Sequence, residues 1–88
     1  MADRRLDVHL VTPEEEVWRG PAEVVVATGV DGQLGILPGH APLLTLLGDG
    51  PLQIRSGGST QHATVRGGFL HVFADRVDVL AESAELGG

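Results

Sequence analysis

Four histidines, His9, His40, His62 and His71, are the side chains here best suited to hold a metal ion or pass a proton. A zinc site needs at least three convergent ligands, commonly supplied by His-x-His or His-x-x-x-His pairs. No two of these histidines stand at either spacing. His9, His62 and His71 fall on or beside the polar phase of alternating stretches, where surface or rim histidines belong. There is no cysteine, hence no thiolate for metal or catalysis and no disulfide. All six basic residues are arginines, which excludes Schiff-base, phosphate-loop and prosthetic-group lysines. Ser56, Ser59 and Ser83 lie in a turn or near the end of the chain, outside any G-x-S-x-G elbow. Gly29, Gly32 and Gly35 have the wrong spacing for a dinucleotide fingerprint. Glu14, Glu15 and Glu16 are consecutive rather than convergent and read as a solvated turn or edge. Asp75 and Asp78 fall on a strand pair with no pocket in view. The sequence therefore predicts no catalytic, cofactor-binding or metal-ligating residue, and no enzyme.

The unusual stretch is Gly32 to Thr45, GQLGILPGHAPLLT. A loop meant only for solvent is polar, because exposed apolar surface forgoes roughly 25 cal/mol per Å² of burial. This one keeps Leu34, Ile36, Leu37, Leu43 and Leu44, while Gly35, Pro38, Gly39 and Pro42 are expected to break any helix or central strand. A turn that stiff and that apolar is built to fit something. Periodicity alone serves two readings equally: a corner that plugs one end of a β core, or an interface.

The elements around it read as short strands. Leu6, Val8 and Leu10 alternate with polar neighbours until Thr12-Pro13, and Val17-Trp18 is closed by a turn at Gly20-Pro21. Glu23 to Thr28 is β-branched and continuous, the pattern of a central strand buried on both faces. Asp31-Gly32 marks a tight hairpin, Leu43 to Leu47 a short strand, and Gly48-Asp49-Gly50-Pro51 a break. Leu52 and Ile54 share a face, Ser56 to Ser59 makes a hairpin turn, and His62, Thr64 and Arg66 alternate with Ala63 and Val65. Gly67-Gly68 bends the chain ahead of Phe69 to Phe73, and Ala74-Asp75 turns it into Arg76 to Leu80. From Ala81 the chain could begin a helix, though one too short to stand alone.

Strand-turn repeats without an amphipathic helix predict an all-β fold, a flattened sandwich of about ten short strands in two sheets. The 88 residues suffice for one domain, expected over residues 1–84 with 85–88 as a short tail. A net charge of −6 and only three aromatic residues, Trp18, Phe69 and Phe73, argue against a nucleic-acid partner. No apolar run approaches the roughly 18 residues of a membrane span, and Met1 to Arg5 is not followed by a signal-peptide core. The expectation is a soluble chain without direct membrane insertion.

The segments Asp31–Ile54 (DGQLGILPGHAPLLTLLGDGPLQI) and Arg66–Glu85 (RGGFLHVFADRVDVLAESAE) closely resemble the epsilon subunit of the F-type ATP synthase, called delta in mitochondria. The likeness begins at LDVHLVTPEEEVWRG and covers nearly the whole chain. Its most specific part is G-x-L-G-I-L-P-G-H-A-P-L-L-T, followed at the right interval by G-G-F-L-x-V. The resemblance implies a β-sandwich at the foot of the gamma subunit, resting on the polar loops of the c-ring. Such a subunit couples proton-driven rotation to the central stalk and does no chemistry. It implies a peripheral place at the cytoplasmic face of the bacterial plasma membrane. Carried over by position, Gln33, Leu37 and His40 fall at the c-ring, and Thr12, Leu43 and Thr45 at gamma. Gln33 stands where many relatives have Glu, which removes a charge from an exposed contact worth only about 0–1 kcal/mol. The family's C-terminal helical hairpin, with its inhibitory extension and, in some bacteria, its ATP-sensing motif, is expected to be absent here.

Three other classes bear comparison. A swinging-arm carrier domain needs a lysine at a hairpin tip and is excluded. A small β-barrel metalloenzyme would have to use the four histidines. A generic β-sandwich binding module would use the same apolar loop as its interface.

Overall fold

The computed structural model describes residues 4–87. Their regular elements are β1 (Leu6–Val11), β2 (Glu16–Ala22), β3 (Val24–Gly29), β4 (Gly32–Ile36), β5 (Leu43–Leu46), β6 (Gly50–Ser56), β7 (Ser59–Phe73) and β8 (Arg76–Gly87). The strands join in the order β2-β1-β8-β7-β6-β3-β4, and β5 pairs with β7 off this path. No helix of the structure is long and apolar enough to cross a membrane.

The two longest strands each serve two layers. β7 pairs with β6 over Ser59–Val65 and with β5 over Phe69–Val72. Opposite it, β8 pairs with β1 only from Arg76 to Leu80, then continues along β7 to Gly87. One layer is thus β2, β1, the first half of β8, the second half of β7, and β5. The other is β4, β3, β6 and the remaining halves of β7 and β8. With β7 and β8 counted in both layers, the sandwich of about ten strand segments in two sheets is what forms.

Between the layers lies an aliphatic core with no buried polar side chain among the described residues. Leu6, Val8 and Leu10 of β1, Val77 and Val79 of β8, and Leu70 and Val72 of β7 fill one side. Val25, Ala27, Leu52, Ile54, Ala63 and Val65 fill the other. The alternation that marks each strand in the sequence is the alternation of burial. In β7, however, the buried phase passes from the odd positions Ala63 and Val65 to the even positions Leu70 and Val72. The change falls at Gly67 and Gly68, whose φ angles of 60° and 106° are closed to most side chains. A Cβ on Gly68 would collide with the Leu80 carbonyl oxygen and lie 2.8 Å from Ala81 Cα. The bend therefore needs glycine for both dihedral and space.

Several sequence-based expectations change. Gly20 and Pro21 make no turn: they sit inside β2 opposite Val8 and Asp7. β2 ends the sheet, and an edge strand tolerates the missing proline N–H. The turn comes at Glu23, whose N–H donates to the Arg55 carbonyl at 2.7 Å. β3 is buried on one face rather than two, because a two-layer sandwich covers only the inner side of each sheet. Gly35, expected to break only a helix or a central strand, lies in the edge strand β4 paired with Val26 of β3, whereas Gly50-Pro51, expected as a break, opens β6. Ala81 begins no helix. Residues through Gly87 pair with β7 as far back as His62, which satisfies backbone groups that a helix would leave exposed on β7. The hairpin at Asp31-Gly32 forms with Val30 and Asp31 as its turn between paired Gly29 and Gly32.

Gly68→Ala is expected to destabilise the fold by about 3–5 kcal/mol, from overpacking against backbone plus the strain of a left-handed alanine. Gly35→Ala, with nothing within 4 Å of the new methyl group, should change stability by less than about 1 kcal/mol. Urea denaturation of the two variants measures the contrast.

Candidate interaction site

The stretch singled out in the sequence divides in two. Gly32 to Ile36 is the edge strand β4, and the loop proper is Leu37 to Pro42. Both ends of this loop are anchored, by buried Ile36 on one side and by half-buried Leu43, which packs on the core, on the other. Inside it the His40 N–H donates to the Leu37 carbonyl at 3.1 Å. Pro38 and Gly39 form the corner, and Gly39 has φ 87°, the proline-glycine pattern of a type II turn. His40 Nδ1 lies 2.7 Å from the Ala41 carbonyl, so Nδ1 carries the proton and donates. Leu37, meanwhile, is 57% exposed.

A second turn holds this loop from below. The Gly39 N–H donates to Asp75 Oδ1 at 2.7 Å, and Arg4 Nη2 donates to Asp75 Oδ2 at 2.8 Å. The Gly39 hydrogen bond, followed by the Arg4 guanidinium, holds the Asp75 carboxyl below the usual carboxylate range. Asp75 is thus in the β7–β8 turn rather than in a strand pair, and Arg4, His40, Phe73 and Asp75 line one cleft.

Along β4, at the free edge of the sheet, the outward residues are Gln33 and Gly35, both exposed, and exposed Leu37 follows as the first residue of the loop. Gln33 stands roughly 13 Å from Leu37, four residues at about 3.3 Å each. These two side chains and His40 therefore mark a stripe along the β4 edge and the loop, not a single cluster.

Thr12, Leu43 and Thr45 map elsewhere. Thr12 is half-buried just after β1, its N–H donating to the Glu15 carbonyl at 2.9 Å. It lines an apolar groove of about 350 Å³ with Val11, Pro13, Phe69, Leu80 and Ala81. Leu43 and Thr45 pair with Val72 and Leu70, which are fully buried, and opposed residues of an antiparallel pair share a face. Both point inward. The outward residues of β5 are Leu44 and Leu46, opposite His71 and Phe69.

On the outer face of this layer stand Leu44 (66% exposed), Leu46 (51%), Phe69 (46%), Phe73 (59%) and Leu80 (45%). Both phenylalanines of the chain are here and neither is in the core. Leu46, Phe69, Leu80 and Val11 form one row across four strands, continuous with the Thr12 groove. The sequence reading missed this face because both phases of LLTL are apolar. Thr45, the one polar residue of the four, argued for the wrong side, since it points inward while Leu44 and Leu46 point outward.

The histidines do not converge. His9 and His71 flank Asp78 in one row, with His71 Nδ1 3.8 Å from Asp78 and His9 Nε2 3.5 Å from Asp7. His9, expected at the surface, is largely covered, and its Nε2 has no hydrogen-bond partner among the described residues. His40 and His62 lie on other parts of the surface. Among the described residues, no group of three histidine or acidic side chains meets at a point where an ion would sit.

Comparison with known proteins fits this geometry. The family model described as the β-sandwich domain of the ATP synthase delta/epsilon chain matches residues 5–87. An ATP synthase epsilon chain from Frankia casuarinae is 50% identical over 80 residues, spanning 90% of this chain and 94% of that protein. One from Brevibacillus brevis is 45% identical over 85 residues, 96% of this chain but only 64% of that relative. The fold also matches a chain in a solved assembly described as the Euglena gracilis mitochondrial ATP synthase OSCP, F1 and c-ring. There the TM-score is 0.89 at 24% identity, over 98% of this chain and 56% of that one. By sequence and by fold, the chain belongs to the delta/epsilon family of ATP synthase subunits, whose β-sandwich domain it carries.

Proposed function

We propose that this chain is a non-catalytic rotor subunit of an F-type ATP synthase, a rigid spacer that links the gamma subunit to the c-ring and couples rotation to ATP synthesis. The observation that carries the reading, beyond family membership, is that one sandwich carries two separate features, an exposed apolar face and an anchored loop beside a free strand edge. The outer face formed by Leu44, Leu46, Phe69 and Leu80, with the Thr12 groove beside it, takes gamma. Aromatic and aliphatic side chains left outside an aliphatic core are the kind that anchor protein interfaces. Leu43 and Thr45 support that face from within. The β4 edge and loop, with Gln33, Leu37 and His40, take the c-ring loops. Gln33 contributes a neutral contact there. The subunit holds no cofactor and sits at the cytoplasmic face of the bacterial plasma membrane without entering it.

Two variants separate the surfaces. Phe69→Glu should weaken binding to purified gamma by about 30-fold or more, the loss expected of a central interface anchor, with the thermal transition of the free chain little changed. Leu37→Glu should leave gamma binding intact and lower ATP-driven proton pumping relative to ATP hydrolysis in the reassembled enzyme. Wild-type gamma affinity for the Phe69 variant would remove that face from the contact, and unchanged pumping for the Leu37 variant would remove the loop.

A further inference from the structure

The β7–β8 hairpin is closed by a turn that its residues do not favour. Ala74 and Asp75 have φ of 50° and 64°, where two-residue hairpins usually place Asn-Gly. Alanine is strained in that region, which aspartate tolerates better, and strain persists only where the surroundings impose it. Here the surroundings are two segments far from the turn in the chain, the start of β1 and the loop corner at Gly39. The Asp75 carbonyl accepts the Asp7 N–H of β1 at 2.8 Å, while its two carboxylate oxygens take Gly39 and Arg4. The Gly39 N–H is the one that a type II corner turns away from its own turn, so it must find a partner elsewhere.

We propose that Asp75 is the positioning residue of the Leu37–Pro42 loop: by gripping the Gly39 amide it fixes the direction in which Leu37 and His40 face their partner. This rests on the reading of that loop as a c-ring contact only for its consequence in the enzyme; the grip itself is a property of the free chain. The charged or titratable groups that face the carboxylate are Arg4 and His40, which line the same cleft. Arg76, next in sequence, is turned instead to Asp78, with Nε 3.1 Å from Oδ1. Since the carboxyl titrates below its ordinary value of 3.8, the grip is complete at neutral pH and is lost only as pH falls through that lowered titration.

Substitutions at Asp75 separate the grip from the turn. Asp75→Gly suits the positive φ and keeps the hairpin but removes the acceptor. Asp75→Asn keeps an acceptor oxygen and a tolerance for positive φ but drops the charge. In the free 88-residue chain, Gly39 amide hydrogen exchange should be about tenfold faster or more in Asp75→Gly and intermediate in Asp75→Asn. The Val72 and Val79 amides serve as unchanged controls. In the wild type, the Gly39 amide proton shift should titrate with a midpoint below 3.8. Wild-type Gly39 exchange in Asp75→Gly, or a Gly39 shift that shows no such inflection, would overturn the proposal. In the assembled synthase, Asp75→Gly should lower proton pumping relative to hydrolysis. Faster Gly39 exchange with unchanged pumping would confirm the grip and remove the loop from the c-ring contact.

Discussion

The fold turns on one close approach of backbone to backbone, Gly68 against Leu80 and Ala81 in the middle of the longest hairpin. At that point β7 exchanges β6 for β5 as its partner, and β8 runs past the end of its pairing with β1. Two sheets thereby share one hairpin, and the buried phase of β7 shifts with them. A side chain at Gly68 would hold the strands apart where the layers meet. The inner residues on either side, Val65 and Leu70, would then lose their common core. The rest of the sandwich is ordinary strand pairing added to this hinge.

A sandwich of this size has little interior, and here it is filled with aliphatic residues alone. Of the larger apolar side chains left exposed, Leu44, Leu46, Phe69, Phe73 and Leu80 collect on one outer face, while Val30, Leu37 and Leu86 stand apart from it. Soluble monomers rarely carry large contiguous apolar patches without a use for them. The same core explains how the Leu37–Pro42 loop is anchored. Ile36 and Leu43 anchor its ends in the interior, proline and glycine fix its corner, and Asp75 holds that corner from the neighbouring turn. Rigidity at the surface is thus inherited from packing beneath it.

Much of this was legible in the residues. Period-two alternation located β1, β6 and the first half of β7, and the hairpins at Asp31-Gly32 and Ser56–Ser59 formed where turn residues stood. What failed did so for physical reasons. Gly20-Pro21 reads as a turn locally, yet a sheet edge accepts it. Residues 81–87 carry weak helical propensity, but pairing with β7 overrides it. The phase of β5 was ambiguous because leucine fills both sides of the strand, and only the buried partners Leu70 and Val72 decide it. Asp75 looked unremarkable because its importance comes from Gly39 and Arg4, which lie 36 and 71 residues away in sequence. No local pattern reports a contact of that kind.

A spacer between a shaft and a ring must move as one body, since any compliance between its two contacts dissipates rotation as local deformation. A sandwich suits this task better than a pair of helices joined by a loop. Each layer is cross-linked by backbone hydrogen bonds, and the layers are joined covalently through β7 and β8. The proposed gamma face lies on the layer that includes β5, and the proposed c-ring stripe follows β4 in the other layer. Force passing from one to the other crosses the shared hairpin and the loop between β4 and β5. The hairpin is held by Gly68 packing and the loop by Asp75, so the two specialised positions fall on two of the chain crossings that connect the layers, beside those at Glu23 and at Leu47–Asp49.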